Sequence, residues 1–378
     1  MTPFYLILAC LIAFAATHFV SIFVLILRPY ITQTQAPRER PPVTILRPAC
    51  GIENHIEETL ASAFAIDYPE FEIIFCVADP SDPIIPVISR LMAGHPDVSS
   101  RLVTGDDHIS VNPKLNNLVK GWRVARHDWI VMADSNVLTP PGYLDQLLGR
   151  WAPGVGLVCS PPVGAEPEGF GAELECTFLN THQARWQLFA DVLGIGFAHG
   201  KTMLWRRSDL DRAGGIAALA SEPAEDAAFT KIVKRAGNRV RLVLNPYPQP
   251  LGYRPLGEIW KRQLRWARLR RATFAPFYAL EILSGGFLPV LAAAALILMR
   301  PPTWSGFVIF FAAWYGAELL LAKRMGWPLS LPIALMMIAR DFSLPGLWVA
   351  GWAGTTFDWR DNTTASLRAV PRPSTRTA

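Results

Sequence analysis

The chain begins with a continuous run of apolar residues. From Pro3 to Leu27 only His18 interrupts it. A transmembrane helix needs about 20 apolar residues, so this segment is long enough to cross a bilayer. No Lys or Arg precedes the run, and Arg28, Arg38 and Arg40 follow it. This order predicts an uncleaved anchor with the following chain in the cytosol.

Three further apolar stretches follow residue 275. The first two, Pro276 to Met299 and Trp304 to Ala322, predict a transmembrane hairpin that turns at Arg300 to Thr303. The third, Ser330 to Phe357, contains the adjacent charges of Arg340 and Asp341, which are costly in lipid unless they are paired. It is compatible with a spanning, a re-entrant or a flat segment.

The side of the membrane on which the chain ends is left open by these patterns. Four full spans would place both termini outside. The arginines of the tail, however, favour the inside under the positive-inside rule. They are Arg360, Arg368, Arg372 and Arg376.

Between the membrane segments, short apolar runs alternate with helical patterns. The runs "FEIIFCV" (71–77) and "WIVMA" (129–133) are almost wholly apolar at consecutive positions, which is typical of strands buried on both faces. Their alternation with helices predicts a mostly parallel α/β sheet. Ligands in such sheets bind at the carboxyl ends of the strands.

Two of the predicted strands are followed by an aspartate. Asp79 follows the first run and Asp134 the second. Each could form only an Asx-turn, which is common after strands. Two carboxylates at one sheet edge also suit a nucleotide ligand. Asp79 would accept hydrogen bonds from a base or ribose, while Asp134, with Asn136 as a neutral oxygen ligand, would hold a divalent cation on a diphosphate.

The segment "NPKLNNLVKGW" (112–122) gathers a lysine and three amides within two turns of a predicted helix. As structure alone, it is an exposed helix start with solvated amides. As part of a site, Lys114 would lie near the diphosphate. The amides would contact hydroxyls of the sugar or ribose; they are Asn112, Asn116 and Asn117.

Another amphipathic helix is predicted to begin near Asp226. Glu225 and Asp226 are favourable charges at a helix N-terminus whatever else they do. A carboxylate presented there, beside a glycine-rich loop, can also act as a general base towards an acceptor hydroxyl. From this segment alone the two interpretations have equal weight.

The segment "KRQLRWARLRR" (261–271) is the most basic stretch of the chain. On a helix Lys261, Arg265 and Arg268 share one side, and apolar residues share the neighbouring side. This pattern is typical of an interfacial amphipathic helix. Arg268, Arg270 and Arg271 are expected to lie among lipid head groups.

Composition supports a membrane protein. Charged residues make up 18% of the chain, against about 25% in average soluble proteins. The net charge is +5, with Lys and Arg next to apolar segments, which indicates membrane topology and gives no support to nucleic-acid binding. The five cysteines stand far apart without a CxxC pair, so the sequence predicts neither a zinc site nor a disulfide framework.

Together, these motifs resemble a known family. The order Asp79, Asp134, Asp226 and "RQLRW" (262–266) resembles the D, D, D, (Q/R)xxRW signature of inverting GT-A glycosyltransferases. The surrounding sequence is similar to that of the ceramide glucosyltransferases of glycosyltransferase family 21, over most of residues 43–275. The similar stretches are "LRPACGIENHIEETLASAFAIDYPEFEIIFCVADPSDP", "NPKLNNLVKGW", "GLVCSPPVGAEPEGFGAELE" and "AEDAAFTKIVKRAG".

The resemblance implies a role for each matched residue. It places Asp79 at the uridine of a UDP-sugar, makes Asp134 the site of Mg²⁺ or Mn²⁺ and the diphosphate, and makes Asp226 the catalytic base. It assigns the acceptor and diphosphate side to Arg262, Arg265 and Trp266. The metal motif departs from the family because Asp134-Ser135-Asn136 has no second acid. His182 is offset by one position from the family's His-Pro-Arg sequence, so no role is predicted for it.

The resemblance also implies an organisation and a function. We expect an anchor (1–28), a cytosolic GT-A domain (41–255), an amphipathic helix (256–275), membrane segments (276–357) and a basic tail (358–378). The enzyme would transfer a hexose, in the first place glucose, from a UDP-sugar to the hydroxyl of a membrane lipid, in the first place ceramide. It would be a multi-pass protein, of the inner membrane if bacterial.

Several alternatives remain open from the sequence. The hexose could be galactose, and the acceptor diacylglycerol or a hopanoid lipid. A processive polysaccharide synthase shares (Q/R)xxRW but generally needs more membrane spans. A non-catalytic nucleotide-sugar-binding membrane protein and a transporter are alternatives from other classes; the intact Asp226 and "RQLRW" argue against the first, and the large α/β domain against the second.

Overall fold

The computed structural model describes residues 3–32, 37, 39–299, 304–354, 356–359 and 362–366. The predicted turn at 300–303 and the arginines at positions 38, 360, 368, 372 and 376 lie outside these residues. The chain divides into two compact units. One, which we call the membrane unit, comprises Met1–Thr32, Val163–Val192 and Leu251–Gly354. The other, the sheet unit, comprises Gln33–Pro162, Leu193–Pro250 and Thr355–Ala378.

This division differs from the expected continuous domain over 41–255. Residues 163–192 and 251–255 group with the apolar helices instead of with the sheet. Their sequence alternates apolar and polar residues as the neighbouring segments do, so no composition shift marks the boundary.

The strands of the described residues follow one another along the chain. They are β1 (Val43–Ala49), β2 (Phe71–Val77), β3 (Ser100–Thr104), β4 (Trp129–Ala133), β5 (Val155–Ser160), β6 (Val163–Glu168), β7 (Thr202–Arg206), β8 (Arg239–Leu242), β9 (Pro248–Tyr253), β10 (Thr356–Trp359) and β11 (Asn362–Ser366).

The α-helices of the described residues are also numbered in chain order. They are α1 (Pro3–Ile31), α2 (Ile56–Ala61), α3 (Ile84–Gly94), α4 (Pro113–Val124), α5 (Tyr143–Leu148), α6 (Gly169–Thr177), α7 (Arg185–Val192), α8 (Arg207–Arg212), α9 (Glu225–Arg235), α10 (Leu256–Thr273), α11 (Ala275–Leu280), α12 (Phe287–Met299), α13 (Trp304–Met325) and α14 (Leu331–Ala353). A π-helical segment, Phe178–Ala184, joins α6 to α7, and a short 3₁₀ helix, Glu281–Leu283, follows α11.

The sheet unit is built on a seven-stranded sheet in the order β3-β2-β1-β4-β7-β5-β8. β1 is parallel to both β2 and β4, β3 is parallel to β2, and β5 is parallel to β8. Only β7 runs antiparallel to its neighbours β4 and β5. The predicted mostly parallel α/β sheet is therefore confirmed. The strand order reverses at β1, and ligands of such sheets bind beyond the carboxyl ends of the strands at that point.

The central strands owe their place to their continuous apolar runs. All seven residues of β1 and the last four of β4 are buried. Ile45, Phe75 and Val131 contribute to one core cluster, on which Leu60 of α2 and Ile88 of α3 also pack. Burial on both faces is what such runs require, and it makes the strand ends a rigid base for the loops that follow.

The membrane unit contains four segments that are long and apolar enough to cross a bilayer. They are Pro3–Ile31, Ala275–Met299, Trp304–Met325 and Leu331–Ala353. The predicted apolar segments are thus confirmed as helices of suitable length and composition. Within Ala275–Met299 the helix is interrupted around Ser284 to Gly286, between the 3₁₀ helix and α12.

Helices α1 and α13 run in the same direction. The ring of His18 stacks on that of Trp314 with centroids 3.6 Å apart, and further along both helices Arg324 donates a hydrogen bond to the hydroxyl of Tyr30 at 2.9 Å. The basic ends of the two helices, with Arg28 in one and Arg324 in the other, therefore lie at the same end of the unit.

The adjacent charges of α14 are buried and paired. Arg340 lies 2.9 Å from Glu318 of α13 and 2.9 Å from Asp341, and all three side chains are at most 1% exposed. Arg185 of α7 lies 3.6 Å from Glu318 on its other side. Because buried charged side chains are tolerated when they pair within the protein, this network explains how the apolar helix α14 carries them.

Candidate active site

Asp134 is the centre of a charge cluster at the carboxyl end of β4. It follows the last strand residue directly, and its carboxylate lies 2.6 Å from the ammonium of Lys114 and 3.0 Å from that of Lys201. Burial alone would raise the pKa of Asp134, but the two ammonium charges outweigh it and lower the pKa to about 2. The carboxylate is therefore ionised at any physiological pH.

Lys114 is held in place by the start of α4. The side chain of Asn112 caps the helix by accepting hydrogen bonds from the backbone N–H of Lys114 at 3.0 Å and of Leu115 at 3.4 Å. The Lys114 ammonium also lies 2.8 Å from Glu225 and donates to the carbonyl of Gly200 at 2.5 Å. Burial opposes its charge, but the carboxylates of Asp134 and Glu225 raise the pKa of Lys114.

Asp226 lies in the first turn of α9 and is only half-buried. Its carboxylate accepts hydrogen bonds from the backbone N–H of Gly200 at 2.9 Å and of Ala227 at 2.7 Å. Burial of the carboxyl, followed by repulsion from Glu225, raises the pKa of Asp226 to about 7, although Lys114 and the two N–H groups act in the opposite direction. A carboxyl with this pKa is suited to accept a proton near neutral pH.

Gly200 forms hydrogen bonds with both Lys114 and Asp226. A side chain at this position would place its Cβ 2.7 Å from Glu225, 3.2 Å from the Lys114 ammonium and 3.6 Å from Asp226. A side chain here would force the Glu225 carboxylate to shift, so glycine favours the convergence of these three groups.

The other amides of α4 are engaged with the backbone. Asn116 accepts hydrogen bonds from the N–H groups of Ile109 and Ser110 and donates to the carbonyl of Ser110. Asn117 donates to the carbonyl of Cys76 at 2.7 Å, at the end of β2. The structure thus places both residues beneath the loops of the site; direct contact with sugar or ribose hydroxyls stays a prediction.

Asp79 lies beyond the carboxyl end of β2 and is exposed. One carboxylate oxygen accepts hydrogen bonds from the backbone N–H of Ser81 at 2.8 Å and from its hydroxyl at 2.7 Å, and these bonds lower the pKa of Asp79. The Asx-turn is therefore present. It leaves the second oxygen accessible for the predicted contact with uridine.

The oxygens predicted to bind a metal converge on one cation of the protein. The Lys201 ammonium lies 3.0 Å from Asp134 and 3.0 Å from the side-chain oxygen of Asn136. The amide nitrogen of Asn136 donates to Glu53 at 3.1 Å, which turns its oxygen towards Lys201. Carboxylate and amide oxygens are what Mg²⁺ and Mn²⁺ prefer, so the donor set fits such an ion, which would compete with Lys201.

The "RQLRW" motif lies in α10, in the membrane unit. Arg262 is 2.7 Å from Glu175, a side chain with no exposed surface, and Arg254 is 3.4 Å from the same carboxylate. Trp266 packs on a small cluster formed by Ala172, Cys176, Leu179 and Leu251, and Arg265 is half-buried. The motif is thus held by contacts of Arg262 and Trp266 with α6.

The arginines at the end of α10 have protein partners. Arg270 forms two hydrogen bonds with the carboxylate of Glu281, at 2.9 and 2.6 Å. Arg271 donates to the carbonyls of Trp352 and Gly354, at the end of α14. These contacts join α10 to α11 and α14; the expected position of the two side chains among lipid head groups stays a prediction.

Three residues of the site were missed by sequence reasoning. Lys201 and Gly200 precede β7, a strand whose antiparallel pairing with β4 brings them to Asp134. Arg47, buried in β1, donates to the carbonyls of Asp134, Ser135 and Val137 and so holds the loop after β4. An arginine within an otherwise apolar strand was the available signal for Arg47.

Comparisons with known proteins agree with these motifs. The sequence model of the family described as "Glycosyl transferase family 21" matches residues 5–369. Ceramide glucosyltransferase 1 of Caenorhabditis elegans is 25% identical over 330 residues, which are 85% of this chain and 71% of that protein. Ceramide glucosyltransferase of Komagataella phaffii is 31% identical over 336 residues, covering 72% of this chain and 66% of that one.

A search of solved structures returned similar chains of lower identity. The mannosyltransferase of Pyrobaculum calidifontis, solved with GDP-Man and Mn²⁺, is 20% identical. The match covers 92% of this chain and 98% of that one, with a TM-score of 0.48.

Proposed function

Because the chain belongs to glycosyltransferase family 21, we propose that this glycosyltransferase moves glucose from UDP-glucose to the primary hydroxyl of ceramide, with inversion at the sugar. The two relatives described above are ceramide glucosyltransferases by name. The single observation that supports the chemistry best is the Asp226 carboxyl, with its pKa raised to about 7, next to the lysine and aspartate cluster at the strand ends.

In the proposed reaction Asp226 acts as general base. It removes the proton of the lipid hydroxyl as that oxygen forms a bond to the anomeric carbon. The bond from this carbon to the diphosphate oxygen breaks, and UDP leaves with its electron pair. The reaction requires no covalent enzyme intermediate, and the sugar is inverted.

The leaving diphosphate needs positive charge. Lys114 and Lys201 provide two ammonium groups within 3.0 Å of Asp134. Preorganised charges of this kind stabilise a developing anion more than water does. A divalent cation held by Asp134 and Asn136 would supply further electrostatic stabilisation of the leaving group. Asp79 would bind the uridine, and Arg262, Arg265 and Trp266 would serve the acceptor and diphosphate.

We also propose that the catalytic sheet unit lies in the cytosol. Helices α1 and α13 run parallel with Arg28, Lys323 and Arg324 at the same end, and positive residues mark the cytosolic end of membrane helices. In the sequence, the sheet unit begins at residue 33, just after α1. If α12 and α13 are consecutive spans, α11 begins at this end as well.

Helix α14 would then lie along the cytosolic face without crossing. Its first residue follows α13 after the linker 326–330, which reaches about 18 Å at full extension. Its other end meets the start of α11, where Tyr278 donates to the carbonyl of Trp348 at 2.9 Å. Both ends of α14 would therefore lie on one side of the membrane. The arginines of the tail would then also be cytosolic, as the positive-inside rule favours.

The proposed function is tested with membranes that contain the full-length protein. They are incubated with labelled UDP-glucose or UDP-galactose, each with ceramide or diacylglycerol, and the lipids are separated by chromatography. We expect label in glucosylceramide. Label only in a diacylglycerol or hopanoid product would change the acceptor, long polysaccharide would favour a synthase, and no labelled product would refute transferase activity towards these substrates.

A further inference from the structure

Lys201 is fixed beside Asp134 through its backbone. It directly precedes β7, and its carbonyl accepts a hydrogen bond from the N–H of Asp134 at 2.9 Å. The pairing of β7 with β4 continues from there, with Thr202 opposite Ala133. A movement of the Lys201 ammonium must therefore come from rotation within the side chain, whose four-carbon stem is flexible.

The ammonium of Lys201 joins the two oxygens that suit a metal ion. It lies 3.0 Å from the carboxylate of Asp134 and 3.0 Å from the side-chain oxygen of Asn136. The side chain of Lys201 is 11% exposed and that of Asp134 is 20% exposed, so solvent reaches this ion pair. The ammonium thus occupies a cation position that a ligand can approach from outside the protein.

Asp134 does not depend on Lys201 alone for a counter-charge. The ammonium of Lys114 lies 2.6 Å from the other oxygen of the same carboxylate. If the side chain of Lys201 turns away, Asp134 therefore stays paired, and the large destabilisation of a buried carboxylate without a partner does not arise. Lys201 can thus leave Asp134 at a smaller cost in free energy than a lone partner could.

The oxygens around the ammonium are held by other groups as well. The amide nitrogen of Asn136 donates to Glu53 at 3.1 Å, and this bond directs the amide oxygen towards the cation position. Thr59 donates to the carbonyl of Ser135 at 2.7 Å, and Arg47 donates to the same carbonyl from β1. A loop that is held from several sides is preorganised, so it can accept another cation where the ammonium was.

We propose that Lys201 exchanges one anion for another when the sugar donor binds. In the free site its ammonium fills the cation position between Asp134 and Asn136. When a nucleotide diphosphate binds, the ammonium pairs with it and leaves this position to a divalent cation. The diphosphate and the cation therefore bind cooperatively. The inference rests on the proposed function, since it concerns the donor of that reaction.

The cooperativity follows from the partners of the ammonium in each state. A divalent cation that arrives alone must break the ion pair between Lys201 and Asp134. A diphosphate compensates for this loss because it offers the ammonium a new anion, and charge-assisted hydrogen bonds to phosphate are strong. Coupling between two ligands is reciprocal, so each should tighten the binding of the other by the same factor. When UDP leaves, Lys201 would return to Asp134 and weaken the binding of the cation.

The test measures binding to full-length protein in detergent, without any lipid acceptor. The Kd of Mn²⁺ is measured by electron paramagnetic resonance with no nucleotide, with saturating UDP, and with uridine, which lacks the diphosphate. A protein-free titration corrects for Mn²⁺ that binds UDP in solution. In wild-type protein we expect UDP to tighten the Kd of Mn²⁺ roughly 100-fold, within the usual range for coupled sites. Uridine should leave this Kd unchanged.

Two neutral replacements of Lys201 are decisive. They are Lys201→Met and Lys201→Gln, of which the second retains a hydrogen-bond donor, so that a folded neutral variant is available. Each should bind Mn²⁺ alone roughly tenfold more tightly than wild type, because the ion pair no longer has to be broken. Each should bind Mn²⁺ in the presence of UDP as tightly as wild type. The coupling between the two ligands should therefore fall to roughly tenfold.

Two further variants serve as controls. Lys201→Arg keeps a positive charge on a flexible side chain and should keep most of the coupling. Lys231→Met removes a lysine that is paired with Glu222 at 2.6 Å, outside the cluster around Asp134. It matches the charge change of the neutral variants and should keep the coupling of the wild type.

The outcomes separate this inference from the proposed function. If the ratio of the Kd values for Mn²⁺ without and with UDP is the same in the neutral variants as in wild type, Lys201 does not exchange partners and the inference is wrong. It is also wrong if UDP does not bind wild-type protein or does not tighten its binding of Mn²⁺. If the neutral variants lose the coupling but wild-type protein transfers sugar to no lipid, the exchange stands and the proposed function fails.

Discussion

The ammonium of Lys114 lies 2.6 Å from the carboxylate of Asp134. It also lies 2.8 Å from the carboxylate of Glu225, so a single ammonium bridges two carboxylates that belong to different elements of the sheet unit. Asp134 follows β4 and Glu225 begins α9. Nothing in the sequence around either residue indicates that the two lie close together. Lys114 therefore holds the structure of the site together and also contributes positive charge to it.

Replacement of Lys114 by Met should destabilise the protein. The change leaves Asp134 with one ammonium and Glu225 with none at these distances, and breaking a buried ion pair on one side typically costs about 3–5 kcal/mol. Because the site is partly open, we expect about 2–4 kcal/mol in the free energy of unfolding. Denaturant titration of full-length protein in detergent measures it. Lys234→Met, at an exposed lysine of α9, is the control, and an equal loss in both variants would contradict the argument.

Asp226→Asn should nearly abolish transfer while leaving UDP-sugar binding intact. A general base contributes roughly 10²–10⁴-fold to a rate, and Asn retains the shape but cannot take a proton. Steady-state kcat and the Kd for UDP-glucose are the measurements. Transfer at the wild-type rate would exclude Asp226 as the base.

The pH dependence should report the same group. With a pKa raised to about 7, Asp226 is mostly protonated, and so inactive as a base, below that pH. The value of kcat/KM is therefore expected to rise about tenfold per pH unit up to about 7 and then level off. A profile already flat from pH 5 to 8 would show that a group of ordinary carboxyl pKa controls the reaction.

Lys201→Met should strengthen binding of Mn²⁺. The Lys201 ammonium occupies the point where the oxygens of Asp134 and Asn136 meet, and a metal ion must displace it. Removing this competitor is expected to tighten the Kd for Mn²⁺ roughly tenfold, by analogy with ion pairs worth about 1.4 kcal/mol. Electron paramagnetic resonance of free Mn²⁺ measures binding without any assay of transfer. Unchanged affinity would mean that the metal, if one binds, lies elsewhere.

A reporter fused after residue 378 tests the placement of α14. If α14 lies along the cytosolic face, green fluorescent protein at this end should fluoresce in bacterial cells and alkaline phosphatase should stay inactive. The same pair of fusions inserted at residues 300–303, where the sequence predicts a turn, provides the opposite control. Active phosphatase at the C-terminus would show that α14 crosses the membrane.

Sequence patterns identified the strand ends well, for a physical reason. A strand buried on both faces must be apolar along its whole length, so the point where β4 stops is visible at Asp134. The same patterns could not place Lys201, because its approach to Asp134 depends on the antiparallel pairing of β7 with β4. Pairing between distant strands leaves no local mark on the lysine.

Local signals also missed the partners of charged side chains. Arg270 and Arg271 look like membrane-surface arginines because they lie beside an apolar segment, yet Glu281 and the end of α14 bind them. In the same way, the buried pair Arg340 and Asp341 is explained only by Glu318 on another helix. Charge patterns show that a partner is needed without showing which one.

Gly200 connects the two chemical tasks of the site. Its carbonyl receives the ammonium of Lys114, and its N–H holds the carboxylate of Asp226. A diphosphate that attracts the Lys114 ammonium would weaken the hydrogen bond between Lys114 and the carbonyl of Gly200. The hydrogen bond from the N–H of Gly200 to Asp226, which influences the pKa of Asp226, would change with it. We expect the enzyme to follow an ordered kinetic scheme in which the sugar donor binds first and primes the base for the lipid.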